Sequence, residues 1–509
     1  MKKILAILLT VTMLTVLLAA AGNIFAAEDS VSEEKVLHVL LEAEPDTIDP
    51  SNFKTQASHV VGPFTTACFV PLVISEDNQT IEPYLLAEWE WIDETHLHAT
   101  IRDDVVSRSG HVINTEDVLY TFKTATTSES VSFFDMFDVE NFVIEDDTNM
   151  VFALLTPYPS LIEAFLNPVY SVFSKEDIDS LSDPNSIAAA CTGRYYFDEW
   201  KPGQYITVLK NENYFDKDTE GYYDKIIFTF NNDASARVLA LKSGDCDVTI
   251  NVAVNQAAGL EADGFKTNLH DTADVMNVYL NCSRAPFDNE LVRKAFNMLV
   301  NRAAVRAVLY DGYGSILAAP FSEATAYYQP YEAEVDVEGA KALLAEAGYP
   351  NGFGFTLSGL QNTQIAAEVI QANLAEAGIN MDISMMDFGG YISTRVSGQY
   401  DALIGIGGGA DFANVLQGYD GRLSIQEAFG GTQYYGDEKS YELIDTVYGE
   451  LDLEKRQIAM KELCDYMVDK GVMVALCSVS EVDPCKGNLT GMRFQTAVFV
   501  DVSWMHPEE

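Results

Sequence analysis

The most suggestive spacing of metal-ligating side chains is His96-Leu97-His98, near the end of the first fifth of the chain. Alternate residues of a β-strand lie on one face, so both imidazoles can point the same way. Zinc and related ions need three or four protein ligands, and no third ligand stands near this pair. We therefore predict that His96 and His98 lie on a solvent-facing strand, and we predict no metal site.

Motifs for hydrolysis are equally sparse. The sequence contains no Gly-x-Ser-x-Gly and no His-Glu-x-x-His, the spacings that position a nucleophilic serine or a catalytic zinc. Ser32-Glu33-Glu34-Lys35 satisfies Ser-x-x-Lys, but the Lys-Thr-Gly that accompanies this motif in serine enzymes is absent. Pairs of acids carry no information in a chain with 77 of them. A secreted hydrolase stays an alternative, but the sequence favours a protein that is not an enzyme.

The first 27 residues have the composition of an export signal. Lys2 and Lys3 precede an apolar run from Ile4 to Leu18, and small residues follow at Ala19 to Ala21 and at Ala26 and Ala27. The apolar run is shorter than the ~20 residues that span a bilayer. We expect cleavage and export to a periplasm or outside the cell. Because Ala21 stands where a lipid-anchored protein would have cysteine, we expect no lipid anchor by that route.

Charge excludes one class of partner and leaves others open. The formal net charge is −46 over 509 residues, which repels nucleic acid and anionic membranes and accommodates neutral or cationic ligands. Seven cysteines include no Cys-x-x-Cys pair, so neither a zinc ribbon nor a thioredoxin-like motif is indicated. The pairing of these cysteines does not follow from the sequence.

Strand-like and helix-like segments alternate along the chain, which predicts an α/β protein. The run from Val36 to Leu41 reads as a strand, and the segment from Ile226 to Ile250 reads as a strand, a helix and a strand. Asn114 or Thr115, Asp288 and Asp336 are placed to cap the N-termini of three amphipathic helices. These helices are predicted to face the core.

Several short patterns, in a fixed order, resemble the extracellular solute-binding proteins of family 5, the dipeptide-, oligopeptide- and nickel-binding class. The resemblance runs from Val36 to about Phe494. The segments that carry it are Glu44-Pro45-Asp46-Thr47-Ile48-Asp49-Pro50, Pro83-Tyr84-Leu85-Leu86-Ala87-Glu88-Trp89, Ile101-Arg102-Asp103-Asp104-Val105, Asn114-Thr115-Glu116-Asp117-Val118, Cys191-Thr192-Gly193-Arg194-Tyr195, Ala240-Leu241-Lys242-Ser243-Gly244-Asp245-Cys246-Asp247, Pro286-Phe287-Asp288 and Leu343-Leu344-Ala345-Glu346-Ala347-Gly348-Tyr349. The order of the patterns makes the set more specific than any single one.

The resemblance implies a two-lobe, class II periplasmic binding protein-like fold, in which a hinge closes the lobes on a ligand. After a signal peptide at 1–27, lobe I would consist of 28–57, an inserted subdomain at 58–189, a return segment at 190–270 and a C-terminal segment at 480–509. Lobe II would be 271–479.

The resemblance also assigns candidate ligand contacts. In peptide-binding members a loop of the form Trp-x-Ala-Asp-Tyr supplies the carboxylate that binds the ligand ammonium, and here Gly408-Gly409-Ala410-Asp411-Phe412 occupies that place. Asp411 is therefore the predicted anchor, with Gly409 and Phe412 beside it. Glu44 matches a glutamate that contacts bound peptide. The alternative readings are a helix-capping role for Asp411 and a solvated turn for Glu44.

Dipeptide-specific members hold the ligand carboxylate with an arginine, but the corresponding stretch, Leu360 to Gln364, has no basic residue. This favours a longer peptide or a ligand without a carboxylate. The expected function is that of the substrate-binding component of an ABC importer, which captures an oligopeptide or peptide-like solute and delivers it to a membrane permease. We expect a monomer without a cofactor. A sugar, an opine or chelated nickel as ligand, and a role as receptor for a sensor, stay open.

Overall fold

The structure, a computed structural model, describes residues 34–45, 47–48, 58–75, 80–127, 134–180, 190, 192–331, 334–408, 412–423, 435–495 and 499–508. The predicted signal peptide lies outside these residues. Within them, no helix is long and apolar enough to cross a membrane.

The strands alternate with helices along the chain, as the sequence predicts. In chain order the strands are β1 (Val36–Leu41), β2 (Val73–Ile74), β3 (Glu82–Pro83), β4 (Leu86–Asp93), β5 (His96–Ile101), β6 (Val143–Ile144), β7 (Asn149–Ala153), β8 (Tyr195–Lys201), β9 (Tyr205–Lys210), β10 (Lys225–Phe230), β11 (Val248–Thr249), β12 (His270–Leu280), β13 (Gly354–Leu360), β14 (Asn380–Met386), β15 (Ala402–Gly408), β16 (Ala475–Glu481), β17 (Leu489–Thr490), β18 (Arg493–Gln495), β19 (Phe499–Asp501) and β20 (His506–Pro507).

The α-helices of the described residues are α1 (Ser58–Cys68), α2 (Thr115–Thr127), α3 (Leu161–Ala164), α4 (Lys175–Ser180), α5 (Ala234–Ser243), α6 (Ala257–Ala262), α7 (Glu290–Leu299), α8 (Arg302–Tyr310), α9 (Val337–Glu346), α10 (Gln364–Ala375), α11 (Phe388–Ser397), α12 (Phe412–Gln417), α13 (Glu438–Gly449) and α14 (Leu453–Asp469).

Lobe I is built on a five-stranded sheet of order β11-β1-β10-β9-β8. The predicted strand, helix and strand between Ile226 and Ile250 are β10, α5 and β11, but these two strands are not neighbours. Strand β1 lies between them and is parallel to both. The early strand therefore occupies the second position of a sheet whose other members come from much later in the chain.

A second, four-stranded antiparallel sheet of order β4-β5-β7-β6 belongs to the segment inserted after β1. Its strand β5 alternates between partly exposed and buried residues, and His96 and His98 lie on the exposed side. Each contacts a carboxylate there, His96 at Asp93 and His98 at Glu145. The prediction of a solvent-facing pair is confirmed.

Lobe II is built on a five-stranded sheet of order β14-β13-β15-β12-β16. One face is covered by α7, α8, α9 and α10, which bury Met276, Val278 and Leu280 of β12. Helices α12, α13 and α14 form a separate apolar cluster that includes Phe412.

The chain passes from the lobe I sheet to the lobe II sheet before β12 and returns after β16. Strands β12 and β16 are antiparallel neighbours in lobe II, and the residues after Glu481 form bridges to lobe I, from Val482 to Val252 and from Cys485 to Val248. The two crossing strands thus lie side by side, which is the arrangement of a hinge.

Candidate functional site

A buried ion pair joins the inserted segment to lobe II. The Arg456 guanidinium, on α14, donates to the Glu163 carboxylate, on α3. It also donates to the Tyr327 hydroxyl at 2.8 Å, and that hydroxyl donates to Glu163 at 3.2 Å. The Arg456 side chain is 2% exposed and the Glu163 side chain 9% exposed. Burial raises the pKa of Glu163, and the charge of Arg456 opposes that rise. Each charge removed from water therefore has a partner.

Phe412, one of the predicted ligand contacts, packs directly against this group. Its ring is fully buried, with its centroid 5.2 Å from that of Tyr327 and 5.2 Å from the Arg456 guanidinium. A third contact is Tyr448, at 6.1 Å. These partners all belong to lobe II, so the ring anchors the start of α12 in the core. Its contact with ligand stays a prediction.

Gly409 and Asp411, the other two predicted residues of this loop, lie outside the described residues. The last described position before them, Gly408, ends β15 and pairs with Asp274 of β12. A side chain at Gly408 would collide with β12, because a Cβ there would be 2.6 Å from the Ala273 carbonyl oxygen. Glycine therefore allows the strand to lie against its neighbour where the loop begins.

Glu44, the predicted contact in lobe I, uses its carboxylate within that lobe. Oε1 accepts a hydrogen bond from Trp200 Nε1 at 2.7 Å and one from the Gly203 amide at 2.9 Å. Gly203 has a φ of 71° in the turn between β8 and β9. Glu44 thereby ties the first loop to this hairpin. Whether it also contacts ligand is not decided by these bonds, and the assignment stays a prediction.

No sequence pattern indicated Asp274 as a candidate ligand contact. It lies two residues before Met276 on the same face of β12. Along this face Val278 and its β15 partner Ile404 are fully buried, whereas the next β15 residue, Ile406, is 39% exposed. Asp274 pairs with Gly408 of β15, so it lies beside the start of the predicted ligand loop.

The carboxylate of Asp274 is partly buried and has no hydrogen-bond or ion-pair partner among the described residues. Burial alone raises its pKa above the ordinary aspartate value. A partly desolvated carboxylate without a cation is costly to keep ionised, and a cation placed beside it removes that cost. The sequence signal was only an acid in an otherwise apolar strand, which is weak in so acidic a chain.

The neighbouring strand β13 is parallel to β15, so both strands terminate at the same end of the sheet. The residues that follow it, Gln361 and Asn362, are exposed and uncharged. Arg395 lies instead on α11, with its guanidinium 5.7 Å from the ring of Tyr279. The end of the sheet that carries Asp274 thus presents a carboxylate, amides and an exposed isoleucine.

Comparison with known proteins identifies the family. Residues 80–427 match the family model described as bacterial extracellular solute-binding proteins, family 5. The glutathione-binding protein GsiB of Shigella boydii serotype 4 is 29% identical over 250 residues, which is 48% of each chain. The match therefore spans about half the length of this curated relative.

Solved structures agree over nearly the whole chain. HbpA2 from Haemophilus parasuis superposes with a TM-score of 0.82 at 19% identity, covering 93% of this chain and all of that one. The periplasmic binding protein DppA from Helicobacter pylori, in complex with the peptide STSA, gives 0.70 at 21% identity, covering 94% and 99%. At these identities the likeness concerns the fold, and the predicted two-lobe α/β fold is confirmed.

Proposed function

This chain belongs to the bacterial extracellular solute-binding proteins of family 5, and on that premise we propose that it captures a peptide or peptide-like solute bearing an ammonium group. In this proposal the solute lies between the lobes, and the loaded protein delivers it to the permease of an ABC importer. Glutathione and the peptide STSA, named for the two relatives above, support a peptide-like ligand.

The observation that carries the proposal is the Asp274 carboxylate, which is partly buried without a partner in the described residues. A ligand ammonium would supply the missing partner, and a charge-assisted hydrogen bond of this kind contributes about 1.5–3 kcal/mol. Asp411 follows Gly408 by three residues and is proposed as a second carboxylate for the same group.

The far end of the ligand is proposed to be uncharged or to extend beyond the site. The exposed residues after β13, Gln361 and Asn362, offer amides and no cation, so a ligand carboxylate would find no ionic partner at this edge. This favours an oligopeptide, or an amine without a carboxylate, over a dipeptide held at both ends.

Export to a periplasm or the extracellular space is part of the proposal and follows from the family and from the composition of residues 1–27. A receptor for a membrane sensor would use the same ligand-bound form, and permease genes beside the coding sequence would favour transport. No catalytic role is proposed.

A thermal-shift screen of the mature protein tests the ligand class. The ligands are peptides of two to eight residues, sugars and chelated nickel. A ligand at a hundred times its Kd stabilises the protein by about 2.7 kcal/mol, which is a clear shift in Tm. Shifts with peptides alone, lost in Asp274→Asn or Asp411→Asn, support the proposal. Shifts with sugars or nickel but not with peptides would overturn the ligand assignment.

A further inference from the structure

Three metal-ligating side chains meet where the chain crosses between the lobes. His270 is the first residue of β12 and Glu481 the last of β16, and the two are directly opposite in the ladder. Asp483 lies two residues further, where the chain has re-entered lobe I. One potential ligand atom from each of the three lies within 4.8 Å of the other two.

The local backbone holds two of these side chains in place. Asp483 is fully buried; its Oδ1 accepts from the Asn251 amide at 2.7 Å, and its carbonyl oxygen accepts from Asn268 Nδ2 at 2.9 Å. The His270 ring stacks on Phe494 with the ring centroids 3.7 Å apart. Packing and hydrogen bonds thus hold Asp483 in place and keep the His270 ring beside it.

The hydrogen bonding of His270 is that of a metal ligand. Nδ1 lies 3.0 Å from the Asn268 carbonyl oxygen and donates a hydrogen bond to it. Nε2 is buried and has no hydrogen-bond partner among the described residues. A histidine that donates one ring N–H to a backbone carbonyl and leaves the other nitrogen for an ion is the usual arrangement at metal sites.

The distances are close to those of a coordinated ion. Ligand atoms around a tetrahedral Zn²⁺ lie about 3.4 Å apart, given Zn–N and Zn–O bonds of about 2.0–2.2 Å. Here His270 Nδ1 is 3.8 Å from Asp483 Oδ2, so an ion bound through Nε2 requires the imidazole ring to turn toward the two carboxylates. One imidazole and two carboxylates suit first-row divalent ions better than Mg²⁺ or Ca²⁺, which prefer oxygen ligands alone.

We propose that His270, Glu481 and Asp483 bind a first-row divalent transition metal ion such as Zn²⁺ at the hinge. The ion would link the two crossing strands, whose relative twist must change when the lobes move. Binding of the ion is independent of the proposed function; an effect of the ion on ligand affinity rests on it.

The test is a Zn²⁺ titration of the full mature chain after its metal is stripped. Competition with a chromogenic chelator, in millimolar Mg²⁺ to occupy the acidic surface, measures Zn²⁺ affinity. We expect one saturable equivalent in the wild type and at least a tenfold weaker site in His270→Gln. The double variant His96→Gln and His98→Gln, which removes the exposed pair, should bind like the wild type.

The absence of a saturable site in the wild type, or equal affinity in His270→Gln, would overturn the proposal. If His270→Gln does not fold, Glu481→Gln provides the same comparison from the opposite strand. Peptide binding measured in EDTA keeps the two proposals separate, because a failed metal site leaves that measurement unchanged.

Discussion

Two carboxylates, one buried and one partly buried, differ in whether the described fold supplies them with a partner. Glu163 lies between the inserted segment and lobe II, and it accepts from both Arg456 and Tyr327. Asp274 lies on β12 opposite Gly408 and has no such partner in the described chain. Burial raises the pKa of both, but only Glu163 has a cation to oppose that rise.

The presence or absence of a partner suggests different roles for the two carboxylates: a structural role for Glu163 and, as proposed, a ligand-binding role for Asp274. A satisfied buried pair holds two parts of a protein in register and offers nothing to a ligand. A carboxylate that is desolvated without a partner is costly to the fold. Such groups occur at sites where a ligand supplies the missing partner. In a chain with 77 acidic residues, the role proposed for Asp274 rests on its lack of a partner in the described residues, because residue type alone does not single it out.

The largest effect is expected at the satisfied pair. Arg456→Met leaves Glu163 buried without its cation, and the free energy of unfolding should fall by about 3–5 kcal/mol. Chemical denaturation measures this. Adding Glu163→Gln to Arg456→Met removes the uncompensated charge, so the double variant should recover part of the loss. A loss below about 1 kcal/mol in the single variant would show that the pair is not buried as described.

At Asp274 the expected effects on stability and binding have opposite signs. Asp274→Asn should weaken the best peptide from the screen by about 10- to 100-fold, the equivalent of one charge-assisted hydrogen bond. The ligand-free variant should melt at a higher temperature, because a raised folded-state pKa means that ionised Asp274 destabilises the fold above that pKa. Calorimetry measures the first effect and a thermal melt the second.

The matched control for Asp274 is Asp382→Asn, an exposed position on β14 of the same lobe. It should change neither quantity. If Asp274→Asn binds peptide as well as Asp382→Asn does, the assignment of Asp274 to the ligand site is wrong.

The pH dependence of binding sharpens the same contrast. An ammonium ligand needs ionised Asp274, so affinity should be full above the ligand-free pKa of this group and fall as the pH drops through it. Because burial raises that pKa, the loss should begin at a higher pH than for an exposed aspartate of pKa about 3.9. Calorimetry as a function of pH detects it. Asp274→Asn should lack this step, and an unchanged profile in the variant would assign the titration to another group.

The smallest effect is expected at Glu44. Its carboxylate already accepts from Trp200 and Gly203, so Glu44→Gln should lower the free energy of unfolding by about 1 kcal/mol and change peptide affinity by less than twofold. A tenfold loss of affinity with unchanged stability would instead support the contact with ligand that the sequence predicts. Denaturation and calorimetry on the same sample distinguish the two.

The sequence predicted local structure well where a side chain acts on its own backbone. Asp336 caps α9 by accepting from the Gly339 amide, and Asn114 caps α2 through the Glu116 and Asp117 amides. Asp288 was wrong by one residue, because Asn289 caps α7. The two-lobe fold followed from the family resemblance of the ordered motifs.

The sequence could not predict contacts between distant segments. The insertion of β1 between β10 and β11, the pairing of Glu163 with Arg456 across nearly 300 residues and the unpartnered state of Asp274 all depend on tertiary packing. A pattern in one segment records the residue types and not the partners that folding brings to them. For the same reason the domain boundaries and the role of Asp411 stay predictions.

The central claim is that Asp274, a carboxylate without a partner in the described residues, binds the ammonium of a peptide-like ligand. The most direct test compares one peptide with a free amino terminus and the same peptide N-acetylated, each titrated into the wild-type protein by calorimetry. The account predicts that the free peptide binds at least tenfold more tightly. Equal affinity for the two peptides would contradict it, because acetylation removes the one charge that Asp274 is proposed to bind.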